Sequence, residues 1–247
     1  MANIDIKKIY FIGLPGSGKT TVSNLLEKEI NFLSKYCAIK ESIIFTKNPF
    51  FFLLFRLNSK VIKKIGLYEL YAKYTSKKNP NKKNDHLSSK YNNFLLKDEE
   101  YSKNLAKVAN SFERDLVFIT NQLKDMSYID DDGIPQRLLS AFGLRMKSMG
   151  KKEVSFVQEV FGIFSDNSYF VIFDCELGII KQRISIRQSG NSKTMPTDNF
   201  DNRLRYSQDF LINFHQLAKD NHAKVFKIDS GRNSPGEIVQ KIIGFIE

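Results

Sequence analysis

Short runs of β-branched and aromatic residues alternate along this chain with longer stretches whose apolar positions repeat at helical spacing. Lys8-Ile9-Tyr10-Phe11-Ile12, closed by Gly13, reads as a buried parallel strand, since a strand covered on both faces needs no polar alternation. Val22, Leu25, Leu26, Ile30 and Leu33 then mark one face of a helix that begins near Gly18. Further strands are expected at 37–40, 127–129, 169–173 and 224–228. Helical spacing separates them at 49–74, 99–124, 135–164, 176–187, 199–220 and 235–246. Parallel strands need crossover connections, and those crossovers cover both faces of the sheet with helices. The pattern predicts an α/β three-layer sandwich with a five-stranded parallel sheet.

The helices at 49–74 and 99–124 fall between the second and third strands, which predicts a helical insertion at about 48–125 within a single domain spanning 1–247. Residues 76–90 are polar and basic without an apolar period, and a mobile loop is expected there.

Composition adds little to this picture. The chain has 247 residues, 42% hydrophobic and 26% charged, enough to bury a core without covalent staples. Cys37 and Cys175 lie far apart with no CxxC or Cys/His spacing, which argues against a disulfide framework or a zinc site and fits a reducing cytosol. The amino terminus reaches charge at Asp5 and lacks the apolar stretch of a secretory signal, so a cytoplasmic protein is expected. The longest apolar run, from Phe50 to Phe55, is too short to span a bilayer. The net charge of +11 suits polyanions, whether nucleic acid, an anionic membrane or phosphorylated ligands. No platform of interleaved aromatics is recognised, so nucleic acid is a possible partner but not the favoured one. The oligomeric state is not legible.

Chemistry enters at Gly13-Leu14-Pro15-Gly16-Ser17-Gly18-Lys19-Thr20, followed by Thr21, which satisfies GxxxxGK[ST] between a predicted strand and a predicted helix. Glycines let the backbone curl until successive N–H groups converge, and the following helix presents its positive end to an anion. An ammonium at a helix amino terminus opposes the dipole unless an anion is present, so Lys19 is hard to explain structurally. The expected ligand is ATP with Mg²⁺. Lys19 would neutralise the β and γ phosphates and the Thr20 hydroxyl would ligate the metal.

Gly-Leu-Pro-Gly-Ser-Gly-Lys-Thr-Thr after an apolar strand closely resembles the loop of the nucleoside monophosphate kinase and small-molecule kinase superfamily. The NKxD element of switch GTPases is not evident. Ile129-Asp130-Asp131-Asp132-Gly133-Ile134-Pro135-Gln136-Arg137 resembles the acidic element after the third strand of such kinases. By that resemblance Asp131 would serve the metal or accept the acceptor's proton, with Asp132 beside it and Arg137 facing acceptor or phosphate. The choice among Asp130, Asp131 and Asp132 stays open. The helix carrying Arg183 and Arg187 resembles the superfamily's lid helix, and residues four apart share a face from which both guanidinium groups could close on phosphate. Glu41, after the second strand, is a candidate acceptor contact, and the insertion a candidate acceptor-binding subdomain. The resemblance implies an ATP-dependent phosphotransferase acting on a small acceptor such as a nucleotide, nucleoside or sugar. A polynucleotide 5'-kinase and an ATP-dependent switch or assembly protein are the alternatives.

Overall fold

The structure, a computed structural model, describes residues 7–30, 32–34, 71, 73–74, 81–96, 105–123, 125–143, 149–164, 166–188 and 200–247. The described elements run β1 (Lys8–Gly13), α1 (Lys19–Glu29), β2 (Leu33–Ser34), α2 (Lys82–Leu96), α3 (Leu105–Val117), β3 (Tyr128–Asp130), α4 (Ile134–Leu138), α5 (Lys151–Phe161), β4 (Ser168–Asp174), α6 (Leu177–Gln188), α7 (Phe200–Asp220), β5 (Lys224–Asp229) and α8 (Pro235–Ile246). π-Helical turns at Phe118–Gln122 and Leu139–Gly143 continue α3 and α4. The chain divides into two compact units, one of Met1–Phe32 with Ile129–Glu247 and one of Leu33–Tyr128.

In the first unit the strand order is β3-β1-β4-β5, and the β1–β4 and β4–β5 pairs are parallel. Among the described residues the first unit contributes four strands to this sheet, against the five expected for the chain. The segment 37–40, expected to supply another, lies outside the described residues. The described strand nearest to it, β2, is two residues long and belongs to the second unit.

Alternation along β1 sorts the layers. Ile9 and Phe11 point to one face, where Val22 and Leu26 of α1 and Ile238, Val239 and Ile242 of α8 complete a single cluster with Val171, Phe173 and Ile228. Tyr10 points to the other face, with its ring 5.5 Å from Phe170 and 4.9 Å from Phe164. Phe161 of α5 and Phe214 of α7 continue that aromatic layer, 5.1 Å apart. Each such side chain, fully buried, contributes about 1.5–3 kcal/mol relative to exposure. The β4 register sets Gly13 beside Phe173, and the β5 register sets Asp174 beside Asp229. The carboxyl ends of β1, β4 and β5 thus share one edge, where ligands bind in open α/β sheets.

Two expected elements differ. The helix at 135–164 is broken, because Gly150 is extended at φ −83° and ψ 175° and begins α5 as its cap residue. The Glu153 carboxylate accepts from Gly150 N at 3.0 Å, holding that start. The expected loop at 76–90 contains most of α2 instead. Asn81 Oδ1 accepts from the backbone N–H groups of Lys83 (3.1 Å) and Asn84 (3.4 Å), initiating the helix. Its inner face is Asn84, Leu87 and Tyr91. Burial of an asparagine there hid the apolar period. The expected helix at 49–74 lies almost wholly outside the described residues, as does Glu41.

The second unit packs α2 on α3 through Tyr91 and Phe112, stacked 4.0 Å apart. No helix among the described residues is long and apolar enough to cross a membrane.

Candidate functional site

The loop from Gly13 to Gly18 leaves β1 at its carboxyl end and enters α1. Its turn is closed by Ser17 N donating to Leu14 O at 3.1 Å. Gly16 and Gly18 take φ of 84° and 91°, a region that side chains disfavour. Gly13 is needed for a different reason: a Cβ there would stand 2.9 Å from Phe173 Cβ and 3.0 Å from Phe173 O. No side chain caps α1 and no acidic residue lies in its first turn, so its N–H groups and dipole are left for an anion. Ser17 Oγ is buried with no hydrogen-bond partner among the described residues. Lys19 Nζ donates to Gly13 O at 2.6 Å and Leu14 O at 3.1 Å, which keeps the ammonium folded over the loop. Thr20 and Thr21 are exposed in the first turn of α1. A cradle of convergent amides with an orphaned hydroxyl and a lysine fits a polyphosphate, and an exposed Thr20 hydroxyl fits the metal that accompanies it.

The acidic turn follows β3. Asp130 ends the strand and is buried, and its Oδ1 accepts from Asp132 N at 3.2 Å. Its other oxygen fills the place a Cβ on Gly133 would take, 2.0 Å away, so glycine is required. Asp132 pairs with Arg137 of α4 at 2.9 Å, which gives these two expected substrate contacts to each other. Asp131, half-buried, makes no hydrogen bond or ion pair among the described residues. Sequence reasoning overlooked Gln136, whose Oε1 accepts from Gly13 N at 3.2 Å and joins α4 to the base of the glycine loop. The available signal was its place beside Arg137 in the resembling motif.

Arg183 of α6 lies against backbone. Its guanidinium donates to Gly16 O at 3.3 Å, Ser230 O at 3.1 Å and Cys175 Sγ at 3.9 Å. Ser230 in turn donates to Asp174 O from its N (2.7 Å) and its Oγ (2.9 Å). The arginine therefore ties the glycine loop to the turns after β4 and β5. Burial pushes the Cys175 thiol above its ordinary value, against the opposing pull of Arg183. A cavity of about 300 Å³ opens beside this tie, bordered by Gly18, Thr21, Arg183, Ile186, Asn233 and Pro235. Arg187 lies on α6, with its side chain outside the described residues.

Comparison with models of known protein families and with curated proteins gives no match. Among solved structures the chain is similar to the YorR protein from Bacillus subtilis in complex with phosphorylated GDP, at 13% identity and a TM-score of 0.47 over 97% of this chain and 95% of that one. It is similar to shikimate kinase from Acinetobacter baumannii in complex with shikimate, at 13% identity and a TM-score of 0.42 over 98% and 93%. It is also similar to deoxyadenosine kinase from M. mycoides with products dCMP and dCDP, at 12% identity and a TM-score of 0.46 over 96% and 97%. A parallel sheet whose first strand runs through a glycine loop into an uncapped helix gives this chain a P-loop fold.

Proposed function

We propose that the protein transfers the terminal phosphoryl group of ATP to a small-molecule acceptor. The observation that carries this reading is the glycine loop, with two left-handed glycines, an uncapped helix start and the buried, unpartnered Ser17 Oγ. Backbone amides of the loop bind the polyphosphate. Lys19 leaves the Gly13 and Leu14 carbonyls to follow the charge that moves onto the leaving phosphate. Thr20 and a carboxylate of the turn formed by Asp130, Asp131 and Asp132 would hold magnesium, which would supply positive charge against the phosphate oxygens. Asp131, uncommitted to any ion pair among the described residues, is the carboxylate suited to take the acceptor's proton. Arg183 holds the loop in shape through Gly16 O and borders the cavity in which the nucleoside end of ATP sits. Catalysis rests on positioning and on charge neutralisation.

The test is ADP release from ATP and Mg²⁺ over a panel of nucleotides, nucleosides, sugars and oligonucleotides. One acceptor class is expected to stimulate turnover, and Lys19→Ala and Asp131→Asn are each expected to lower it by on the order of a hundredfold or more. ATP hydrolysis that no acceptor stimulates favours the switch over the kinase.

A further inference from the structure

Three polar side chains on α2 each carry a buried oxygen with no hydrogen-bond partner among the described residues. Asn84, Ser88 and Asn92 stand four residues apart, so they share one helix face at intervals of about 6 Å along the axis. Asn84 Oδ1, Ser88 Oγ and Asn92 Oδ1 are all buried and, among the described residues, all lack a hydrogen-bond partner. The orientation of Asn84 is chemically determined. Thr120 Oγ1 spends its proton on Leu116 O at 2.8 Å, so towards Asn84 it can only accept. It accepts from Asn84 Nδ2 at 2.9 Å, and that leaves Asn84 Oδ1 as an acceptor in need of a donor. Thr120 belongs to the π-helical turn after α3, an irregularity frequent at functional sites.

We infer that this face of α2 recognises the hydrogen-bond donors of a neutral small molecule bearing hydroxyl or amino groups, a nucleoside or a sugar. The identification of that molecule as the acceptor rests on the phosphotransferase reading. An anion is disfavoured at Asn84, which presents an acceptor, while the Ser88 hydroxyl can accept or donate. In the same unit the buried Arg114 is committed to Asp115, Nε to Oδ1 at 3.3 Å. The three oxygen atoms are covered, so the ligand enters when α2 moves from its packing, and unpaired acceptors beneath the helix weaken that packing.

Equilibrium titration calorimetry of the full chain, without ATP, tests the inference with nucleosides, free pentoses and hexoses, and nucleoside monophosphates. A nucleoside or a sugar is expected to bind, and the arm that gives heat distinguishes the two. Ser88→Ala and Asn92→Leu are each expected to weaken that binding at least tenfold, a loss on the order of one hydrogen bond to a buried partner. Their melting temperatures are expected to be no lower than that of the wild type, and their ATP affinity unchanged. If acceptor affinity is unchanged while the melting temperature rises, the three atoms are a packing defect and the inference fails. It fails equally if only phosphorylated compounds bind, or if no nucleoside or sugar does. Because no phosphoryl transfer is measured, a protein that binds a nucleoside through Ser88 and Asn92 but never phosphorylates it overturns the kinase and leaves this inference standing.

Discussion

Gln136→Leu removes one hydrogen bond on which the glycine loop depends while nearly preserving side-chain volume. Gly13 is buried in β1, and Gln136 Oε1 accepts from its N–H at 3.2 Å. Leucine removes that acceptor and leaves the Gly13 N–H without this partner. A Cβ on Gly13 would already approach Phe173 Cβ and Ser17 Oγ at 2.9 Å. An unsatisfied buried N–H costs about 1–3 kcal/mol. In a protein of this size each kcal/mol moves the melting temperature by about 2–4 °C. A fall of roughly 2–12 °C is therefore expected, read by circular dichroism or calorimetry. ATP affinity is expected to fall as well, since Gly13 is the first residue of the cradle. Gln136→Glu keeps an acceptor oxygen in place and should recover most of both losses near neutral pH. A leucine variant that melts with the wild type and binds ATP equally well would refute the reasoning, showing that the loop is held without α4.

Gly13→Ala and Gly18→Ala should fail differently. The first forces a methyl against Phe173 backbone and Cβ and costs about 1–3 kcal/mol by overpacking, whereas the second meets nothing within 4 Å and costs about 1–2 kcal/mol through its left-handed backbone alone. Urea denaturation separates a crowded site from a strained loop, since only Gly13→Ala should be partly relieved by a second change, Ser17→Ala, which removes the Oγ that stands 2.9 Å from the new methyl. The Cys175 thiol, raised by burial, should stay protonated and resist maleimide at neutral pH, as read by mass spectrometry of its peptide. Because its folded value lies above its unfolded one, the stability it contributes is complete below the ordinary value of 9.0 and is lost as pH rises through the folded value. Rapid native-state labelling at neutral pH would contradict this. Ser234→Ala removes the cap of α8, whose Oγ accepts from Glu237 N at 3.3 Å, and should cost about 1 kcal/mol in chemical denaturation.

The glycine loop and the strands around it were legible because their signals are local. A β-branched run, glycines at positions needing left-handed φ, and a helix without a cap all lie within one short segment. The same holds for β4 and β5, whose expected spans of 169–173 and 224–228 fall within the observed Ser168–Asp174 and Lys224–Asp229. What escaped is carried by partners distant in sequence. The place of Gln136 beside Arg137 marks it locally but does not show that it acts on Gly13, and nothing local shows that Arg183 would spend its guanidinium on the carbonyls of Gly16 and Ser230. Helix α2 escaped for the opposite reason. Its buried face carries Asn84 among Leu87 and Tyr91, so an amphipathic pattern counted from apolar residues alone reads as loop.

The central claim is transfer of a phosphoryl group to an acceptor with Lys19 as its main neutralising charge. ATP labelled at the γ position, incubated with the wild-type protein, Mg²⁺ and the stimulating acceptor, should place the label on the acceptor. Lys19→Ala should slow that transfer by on the order of 10²–10³-fold. Label recovered only as inorganic phosphate, at a rate that no acceptor changes, would contradict the account.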